Sequence, residues 1–446
     1  MKAIFVCVFV AAISVLAAAA EDPFEIASRA LPQERARAMP AIPALTLEEA
    51  ERIALQANPE IRLAVRKVST AEAHISGAGA LEDSSLMYRG WQVPLSQPWN
   101  YNAAMNMFMV GQNLPGPGKR GLRSHIANDG VTIAKAELEA KRREISAEVR
   151  KAFYDLLRNA DELKIHDEQV AIARQGLEAA RIKYSVGKVP QQDVLKSQVA
   201  LSKLIEHLVM LEQDADLGRA TLNTLLGRNP ELPIEVAGQY TLPRELPSIS
   251  QLEQLALKSR PMLTARSAAI TQAQDQLKLA KKGYTPDFSA SAGYMLMPSG
   301  STFRNNYMIE GSMTLPWLNH RKHDAESKEA QSVVSEQEAD FEAARLMVFG
   351  QIQDALVRAR ASRKLVDLYK ETLRPQTEAA LRSTVIAYEN DRTDILNLLD
   401  SQNTTLDVDS SYFRAAAEFE QHMAELELAV GSPIRSSETA AAEASR

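Results

Sequence analysis

Three groups of side chains in this sequence of 446 residues have the types and spacing to bind ions, and none has the makings of a covalent catalyst. Asn397 and Asp400 stand three residues apart, a spacing that puts an amide and a carboxylate on one face of a helix. His320-x-x-His323-Asp324 has helical metal-ligand spacing, but no third helical ligand falls in its register, and a solvated helix start is the alternative. Eight of the fourteen methionines (Met87, Met105, Met107, Met109, Met295, Met297, Met308 and Met313) fall in two short regions. Thioethers are soft ligands for Cu(I) or Ag(I), and they are equally flexible apolar residues able to face lipid or fill a barrel. Strand register separates these readings. Aligning Leu114-Pro115 with Leu315-Pro316 turns Met105, Met107 and Met109 inward, whereas aligning Gly111 with Gly311 turns them outward. No nucleophile elbow, phosphate loop or H-E-x-x-H occurs, and the scattered carboxylates read as the wet faces of helices. No catalytic residue, resident metal or cofactor is therefore expected, and the chain is not read as an enzyme.

The elements that must position these residues occur twice. Leu47 to Pro59 lines up with Ile249 to Pro261, with Glu51/Glu253, Ala54/Ala256, Leu55/Leu257 and Pro59/Pro261 identical. Leu114, Pro115 and Arg120 recur as Leu315, Pro316 and Arg321; Tyr184, Leu195, Ser197 and Gln198 recur as Tyr388, Leu399, Ser401 and Gln402. A period this long marks a duplicated half-domain rather than a short solenoid unit. Between Arg120 and Tyr184 there is no proline, and Ile145, Val149, Ala152, Leu156, Leu163, Val170 and Leu177 form a helical stripe. Such a helix would run about 90–100 Å, longer than a compact globular domain needs. A second stripe passes through Leu201, Leu204, Leu208, Leu211, Ala215, Leu222 and Leu225 with the spacing of packed helix seams. The plan repeats from Arg321 to Tyr388, with Pro375 expected to kink the helix, and from Ile395 to Val430.

Two other regions alternate with period two. Phe288 to Leu296 and Tyr307 to Leu315 carry apolar and polar residues in turn, and Ser84–Val93 and Ala103–Leu114 do so less cleanly. Segments of this length and alternation suit transmembrane barrel strands, and Trp91, Trp99 and Trp317 all fall beside them. A soluble antiparallel sheet with half-buried faces is the alternative. Four strands cannot close a barrel, and open edges are not tolerated in lipid, so several chains would have to share one wall. Two copies give eight strands and three give twelve, of which only the larger leaves room for a wet lumen.

The first twenty residues, with Lys2, an apolar run to Leu16 and Ala17–Ala20, read as a secretory signal peptide. The single cysteine, Cys7, lies within it, which leaves no thiol chemistry in a processed chain. No later stretch approaches the roughly 18–20 apolar residues of a membrane-spanning helix. The formal charge of −6 argues against nucleic-acid binding. The expected organisation is a signal peptide at 1–20, an N-terminal extension at 21–44, repeats at 45–246 and 247–431, and a flexible tail at 432–446.

These motifs resemble the TolC-like outer-membrane efflux proteins, in the branch serving heavy-metal and drug efflux. The likeness rests on the doubled element at Leu47–Pro59, on Leu-Pro-Gly-Pro-Gly-Lys-Arg at Leu114–Arg120, on the turn at Tyr184–Leu195 and on Leu225-Leu226-Gly227. It implies a mostly helical fold with a small membrane β part, in which β-hairpins and long coiled-coil helices of three chains form a channel. It also implies an exit duct of a tripartite efflux or type I secretion system. The chain would form a homotrimer in the bacterial outer membrane, with a helical tunnel in the periplasm, and would meet a periplasmic adaptor and an inner-membrane RND-type or ABC pump. The rival reading is a periplasmic coiled-coil adaptor or scaffold without a barrel.

The same resemblance points to two sets of functional residues. Val186, Gly187, Lys188, Asp193 and Leu195 form one helical tip, and Asp391, Thr393 and Asp394 form its more acidic counterpart. The family places adaptor contacts there; the residues alone require only that the chain reverse, with Gly187 at a helix end and Pro190 at the next helix start. Asp400 occupies an acidic position of the family's periplasmic gate and Asn397 replaces a second one. Tyr388 matches a gating tyrosine, and Arg392 stands one position from the gating basic residue, where this chain has Thr393.

Overall fold

The computed structural model describes residues 44–242, 246–390 and 392–434. The expected signal peptide, all but the last residue of the N-terminal extension, Asp391 and the tail from 435 onward lie outside the described residues.

Each half begins with a helical elbow. Thr46 caps α1 (Leu47–Ala57) in a capping box with Glu49, and Asn58 ends it while capping α2 (Pro59–Ala78). The proline at the first turn of α2 donates no hydrogen bond there, so its missing N–H costs nothing. The second half repeats this with Ser248 and Gln251 opening α5 (Ile249–Ser259) and Pro261 opening α6 (Pro261–Lys281). Between the elbows lie β1 (Ser85–Trp91), β2 (Met105–Leu114), α3 (Lys119–Ser185) and α4 (Gln191–Leu225). After them come β3 (Phe288–Leu296), β4 (Asn305–Met313), α7 (His320–Leu368), α8 (Arg374–Glu389) and α9 (Ile395–Val430). The 67 residues of α3 span about 100 Å at ~1.5 Å per residue. Among the described residues no helix is long and apolar enough to cross a membrane.

The expected kink at Pro375 takes a specific form. A π-helical turn at Tyr369–Leu373 joins α7 to α8, and Pro375 sits in the first turn of α8. Proline has no N–H for the carbonyl one turn back, and a widened turn ahead of it re-registers the ladder without breaking the rod. Arg374 steadies the joint by bonding Asp409 of α9 at 2.6 Å and lying 4.7 Å from the Tyr412 ring.

Among the described residues two large apolar cores hold the bodies of the helices together. One gathers Ala50, Ala54, Ile145, Val149, Phe153 and Leu222 from the first half, the other Leu252, Ala256, Val348, Ile352 and Phe419 from the second. They meet on α9, which supplies Ala417 to the first core and Phe419 to the second. Helix α3 also packs against α6, so the halves are interleaved.

The seam closing each half is a left-handed residue set against an elbow. Gly227 has φ +66° and Gly431 has φ +77°, and a Cβ on Gly227 would lie 2.6 Å from the Ala57 carbonyl oxygen. Gly227→Ala therefore combines backbone strain with a backbone clash. It is expected to lower the thermal unfolding midpoint clearly more than Gly187→Ala, where φ is +74° but nothing lies within 4 Å, so that only the left-handed penalty of ~1–2 kcal/mol applies. Equal shifts of the two variants in a thermal melt would show that the elbow contact carries no stability.

Candidate functional site

The four strands form one antiparallel sheet in the order β1-β2-β3-β4, so the sheet joins the two halves through the β2–β3 pairing. Its register decides which residues share a face, because side chains directly opposite one another point the same way. Met87 pairs with Met109, Arg89 with Met107, Met107 with Met295, Met109 with Gly293, Ser291 with Glu310 and Ser289 with Ser312. That face is polar apart from its methionines and Trp91. Leu86, Tyr88, Phe108, Val110, Tyr294, Tyr307 and Ile309 occupy the other. The Leu-Pro alignment of the repeats is the correct one, and the Gly111–Gly311 alignment is excluded: Gly111 lies on the methionine face and Gly311 on the aromatic one.

Exposure of the two faces is the reverse of that in a water-soluble sheet. Tyr307 and Ile309 are 91% and 87% exposed, whereas Met107 and Met109 are 5% and 2% exposed. The main contacts of the sheet are among its own strands and with the short turn at Tyr101–Ala103. On the methionine face it is the middle of the sheet that is covered, at Met107 and Met109, while Met87 on the edge strand β1 is 43% exposed. The opposite face exposes most of the sheet's large aromatic and aliphatic side chains, interrupted by Asn106, Gln112 and Asn305, a pattern that marks contact with lipid or protein. Tryptophans stand at both ends of the strands: Trp91 and Trp99 beside the hairpin of the first half, Trp317 at the exit from β4.

Asp287 fastens the strands to the helices. It accepts from the Gly116 N–H and the Lys119 ammonium, each at 2.7 Å. Burial alone would raise its carboxyl, but these two donors outweigh that and hold it below the usual carboxylate range. The motif Leu114–Arg120 thus encodes a strand exit whose backbone and lysine are both tied to the opposite half.

At the far end of the rods the chain reverses twice. Gly187 donates to the Tyr184 carbonyl at 2.9 Å and Lys188 to the Lys183 carbonyl at 2.9 Å, a Schellman end that lets Pro190 open α4. Val186, Lys188 and Leu195 are exposed and Asp193 is half-buried. In the second corner Asp394 caps α9 by accepting from the Asn397 N–H at 2.9 Å, and the Asn397 amide donates to the Thr393 hydroxyl at 3.1 Å. Two of the expected tip residues thus have a local structural task.

The tips meet each other. Lys183 donates to the Tyr388 carbonyl at 3.1 Å and its ammonium lies 4.2 Å over the Tyr388 ring, which is buried with Ile395 and Leu398. Arg392 is exposed. The fold thus brings a basic residue, Lys183, to Tyr388 within one chain, a residue that sequence reading overlooked although it precedes the repeated Tyr184. Asn397 and Asp400 are both exposed and line one groove of about 460 Å³ between α8 and α9, with Thr377, Ser383, Thr384 and Thr404. The hydroxyl lining was also overlooked; its signal is the spacing of seven between Thr377 and Thr384.

Two histidine clusters lie elsewhere. His323 contacts Glu326 at 3.1 Å and Tyr284 donates to Asp324 at 2.6 Å, so the His320–Asp324 stretch is engaged in tying α7 to the turn before β3. His166 and His207 face each other, ring centroids 5.9 Å apart, in a cleft of about 900 Å³ between α3, α4 and α9. Burial first, and then His207, lowers the His166 pKa. Among the described residues no group of three or more His, Cys, Asp or Glu is arranged to hold a metal ion.

Comparison with known proteins follows the same lines. The chain is 24% identical over 362 residues to the cobalt-zinc-cadmium resistance protein CzcC of Cupriavidus metallidurans, covering 81% of this chain and 84% of that protein. It is 21% identical over 309 residues to outer membrane protein TolC of Vibrio cholerae, covering 67% and 70%. The solved outer membrane protein VceC of Vibrio cholerae shares the fold, with a TM-score of 0.72 at 17% identity over 86% of this chain and 96% of that one. A family model described as Outer membrane efflux protein matches residues 50–228 and 252–432, one stretch in each half. With its doubled elbows, long paired helices and two-faced sheet, the chain belongs to the outer membrane efflux protein family.

Proposed function

We propose that this protein works as a homotrimer, the outer-membrane exit duct of a tripartite efflux or type I secretion system, coupled through a periplasmic adaptor to an inner-membrane RND-type or ABC pump. The observation that carries this reading is the sheet. Its apolar face is turned outward, and β1 and β4 each pair on one side only. In hydrocarbon each unpaired N–H or C=O costs several kcal/mol, so these edges require partners from other copies. Three copies supply twelve strands and a wet interior, and their helices continue the wall into the periplasm. The halves 45–246 and 247–431 act as two staves of that wall, and residues 1–20 serve as the export signal. An adaptor or scaffold without a barrel would have no use for a sheet that exposes its large apolar side chains.

In this reading the helical tips form the pump-side mouth. Val186, Gly187, Lys188, Asp193 and Leu195, with Asp391, Thr393 and Asp394, form the adaptor-contact surface; Tyr388, Arg392, Asn397 and Asp400 form the gate. Three Asp400 carboxylates around a common axis would attract cations and repel anions. Asp400→Asn is accordingly expected to lower the cation-over-anion permeability ratio of the reconstituted channel towards unity and to weaken block by multivalent cations. An unchanged reversal potential and unchanged block would remove Asp400 from the constriction. The oligomer itself is tested by native mass spectrometry of the detergent-solubilised protein, together with single-channel conductance: a monomer without conductance would overturn the proposal.

A further inference from the structure

The sheet sorts its apolar residues by face in a way that packing does not require. Leucine, isoleucine, valine, phenylalanine and tyrosine all lie on the outward face, where Met313 is the sole methionine of the four strands. On the opposite face Met87, Met105, Met107, Met109, Met295 and Met308 stand among serines, asparagines, Arg89 and Glu310, and no leucine, isoleucine or valine accompanies them. If bulk alone were needed there, leucine would serve as well, since Leu and Met exchange at little cost. What methionine adds is a polarizable sulfur.

Pairing brings these sulfurs together in rows. Met107 is directly opposite Met295, and Met87 is directly opposite Met109, which places their Cβ atoms about 4.5–5.5 Å apart. Next in the second row stands Gly293, followed by Met308. A Cβ on Gly293 would meet the Phe108 carbonyl oxygen and lie 2.7 Å from Met109 Cγ, so β2 and β3 approach closely there and a larger residue would crowd Met109. Arg89 already contacts one sulfur, its guanidinium lying 3.6 Å from Met87 Sδ. Three rotatable bonds let each thioether turn towards a shared centre. Within the Met107–Met295 and Met87–Met109 pairs every donor is a thioether, and two or three thioethers suit a soft monovalent cation and not a hard divalent one; the nearest carboxylate of this face, Glu310, lies in a neighbouring row opposite Ser291.

We infer that the methionine face is a binding surface for soft monovalent metal ions, Cu(I) or Ag(I), in which the Met107–Met295 and Met87–Met109 pairs supply the ligands. The inference rests on the channel reading above, because in a closed twelve-stranded wall this face bounds the lumen and an ion in transit would meet it. Binding is by coordination alone; no electron is transferred and the sulfurs stay thioethers.

The test uses the full-length protein in detergent, loaded with Ag(I) in chloride-free buffer, desalted and analysed for retained silver, and loaded with Cu(I) under reducing conditions for X-ray absorption. Wild type is expected to retain silver and to show copper–sulfur scattering. The variant Met87→Leu/Met107→Leu/Met109→Leu/Met295→Leu, which keeps side-chain bulk, is expected to lose both. Met107→Leu/Met295→Leu removes one pair alone and is expected to lose part of the silver while keeping oligomeric state and potassium conductance. Equal silver retention by wild type and the two-residue variant, with conductance intact in both, overturns the inference and leaves the channel standing. Absence of oligomer and conductance in wild type overturns the channel reading instead, and the inference with it.

Discussion

Ile309→Arg is expected to remove most of the protein from the folded, lipid-inserted form, whereas Ser291→Arg leaves insertion intact. Ile309 is the middle residue of β4 and 87% exposed, on the apolar face between Tyr307 and Gly311. A charge at the bilayer midplane on a lipid-facing position of a barrel costs about 2–4 kcal/mol, which is one to three powers of ten in the folding equilibrium of each copy. Ser291 lies at nearly the same depth on the other face, directly opposite Glu310, so an arginine there gains a cross-strand carboxylate in a polar setting. Folding into lipid vesicles, followed by heat-modifiable gel mobility, measures both. If the two variants fold alike, the faces have been misassigned and both the proposed channel and the metal-binding surface lose their footing.

The second large effect concerns the helical body. Arg150 of α3 bonds Glu51 of α1 through Nε and Glu427 of α9 through Nη1, and all three side chains are largely buried. Burial would favour loss of the arginine proton, but the two carboxylates more than offset it and raise its pKa. The residue is thus a permanent cation joining the first elbow to the last helix. Arg150→Met strands two carboxylates beside an apolar chain, and breaking a buried pair in this way costs about 3–5 kcal/mol. Denaturant titration of the helical circular-dichroism signal should show that loss. Arg150→Met/Glu51→Gln/Glu427→Gln is expected to recover a substantial part of it, because no unpaired charge remains. A single variant within 1 kcal/mol of wild type would mean that water or local rearrangement satisfies the carboxylates.

Much of the architecture is legible in the residues because it is encoded locally. Proline-free heptad stripes run as α3 and α4, Gly187 and Pro190 make the corner between them, and the doubled Leu47–Pro59 element folds twice into a capped elbow. Period-two segments become β1 to β4, with ends shifted by a few residues: β4 spans Asn305–Met313 where the alternation predicts Tyr307–Leu315. Pro375 announces an irregularity, and only its form, a π turn rather than a sharp kink, comes from packing against α9. The tip residues were visible as a corner, yet Asp394 and Thr393 turn out to be engaged in capping and side-chain bonding at the start of α9.

What the sequence determined by itself is the set of elements, their duplication and the family likeness, since each depends on spacing within a few turns or on whole-segment similarity. Tertiary structure alone decided which sheet face holds the methionines, that Lys183 lies on Tyr388, and that Arg150 joins Glu51 to Glu427. The reason is the same in each case. Alternation defines two faces but a slip of one residue exchanges them, and a contact spanning 205 or 277 positions along the chain leaves no periodic trace in either segment that makes it.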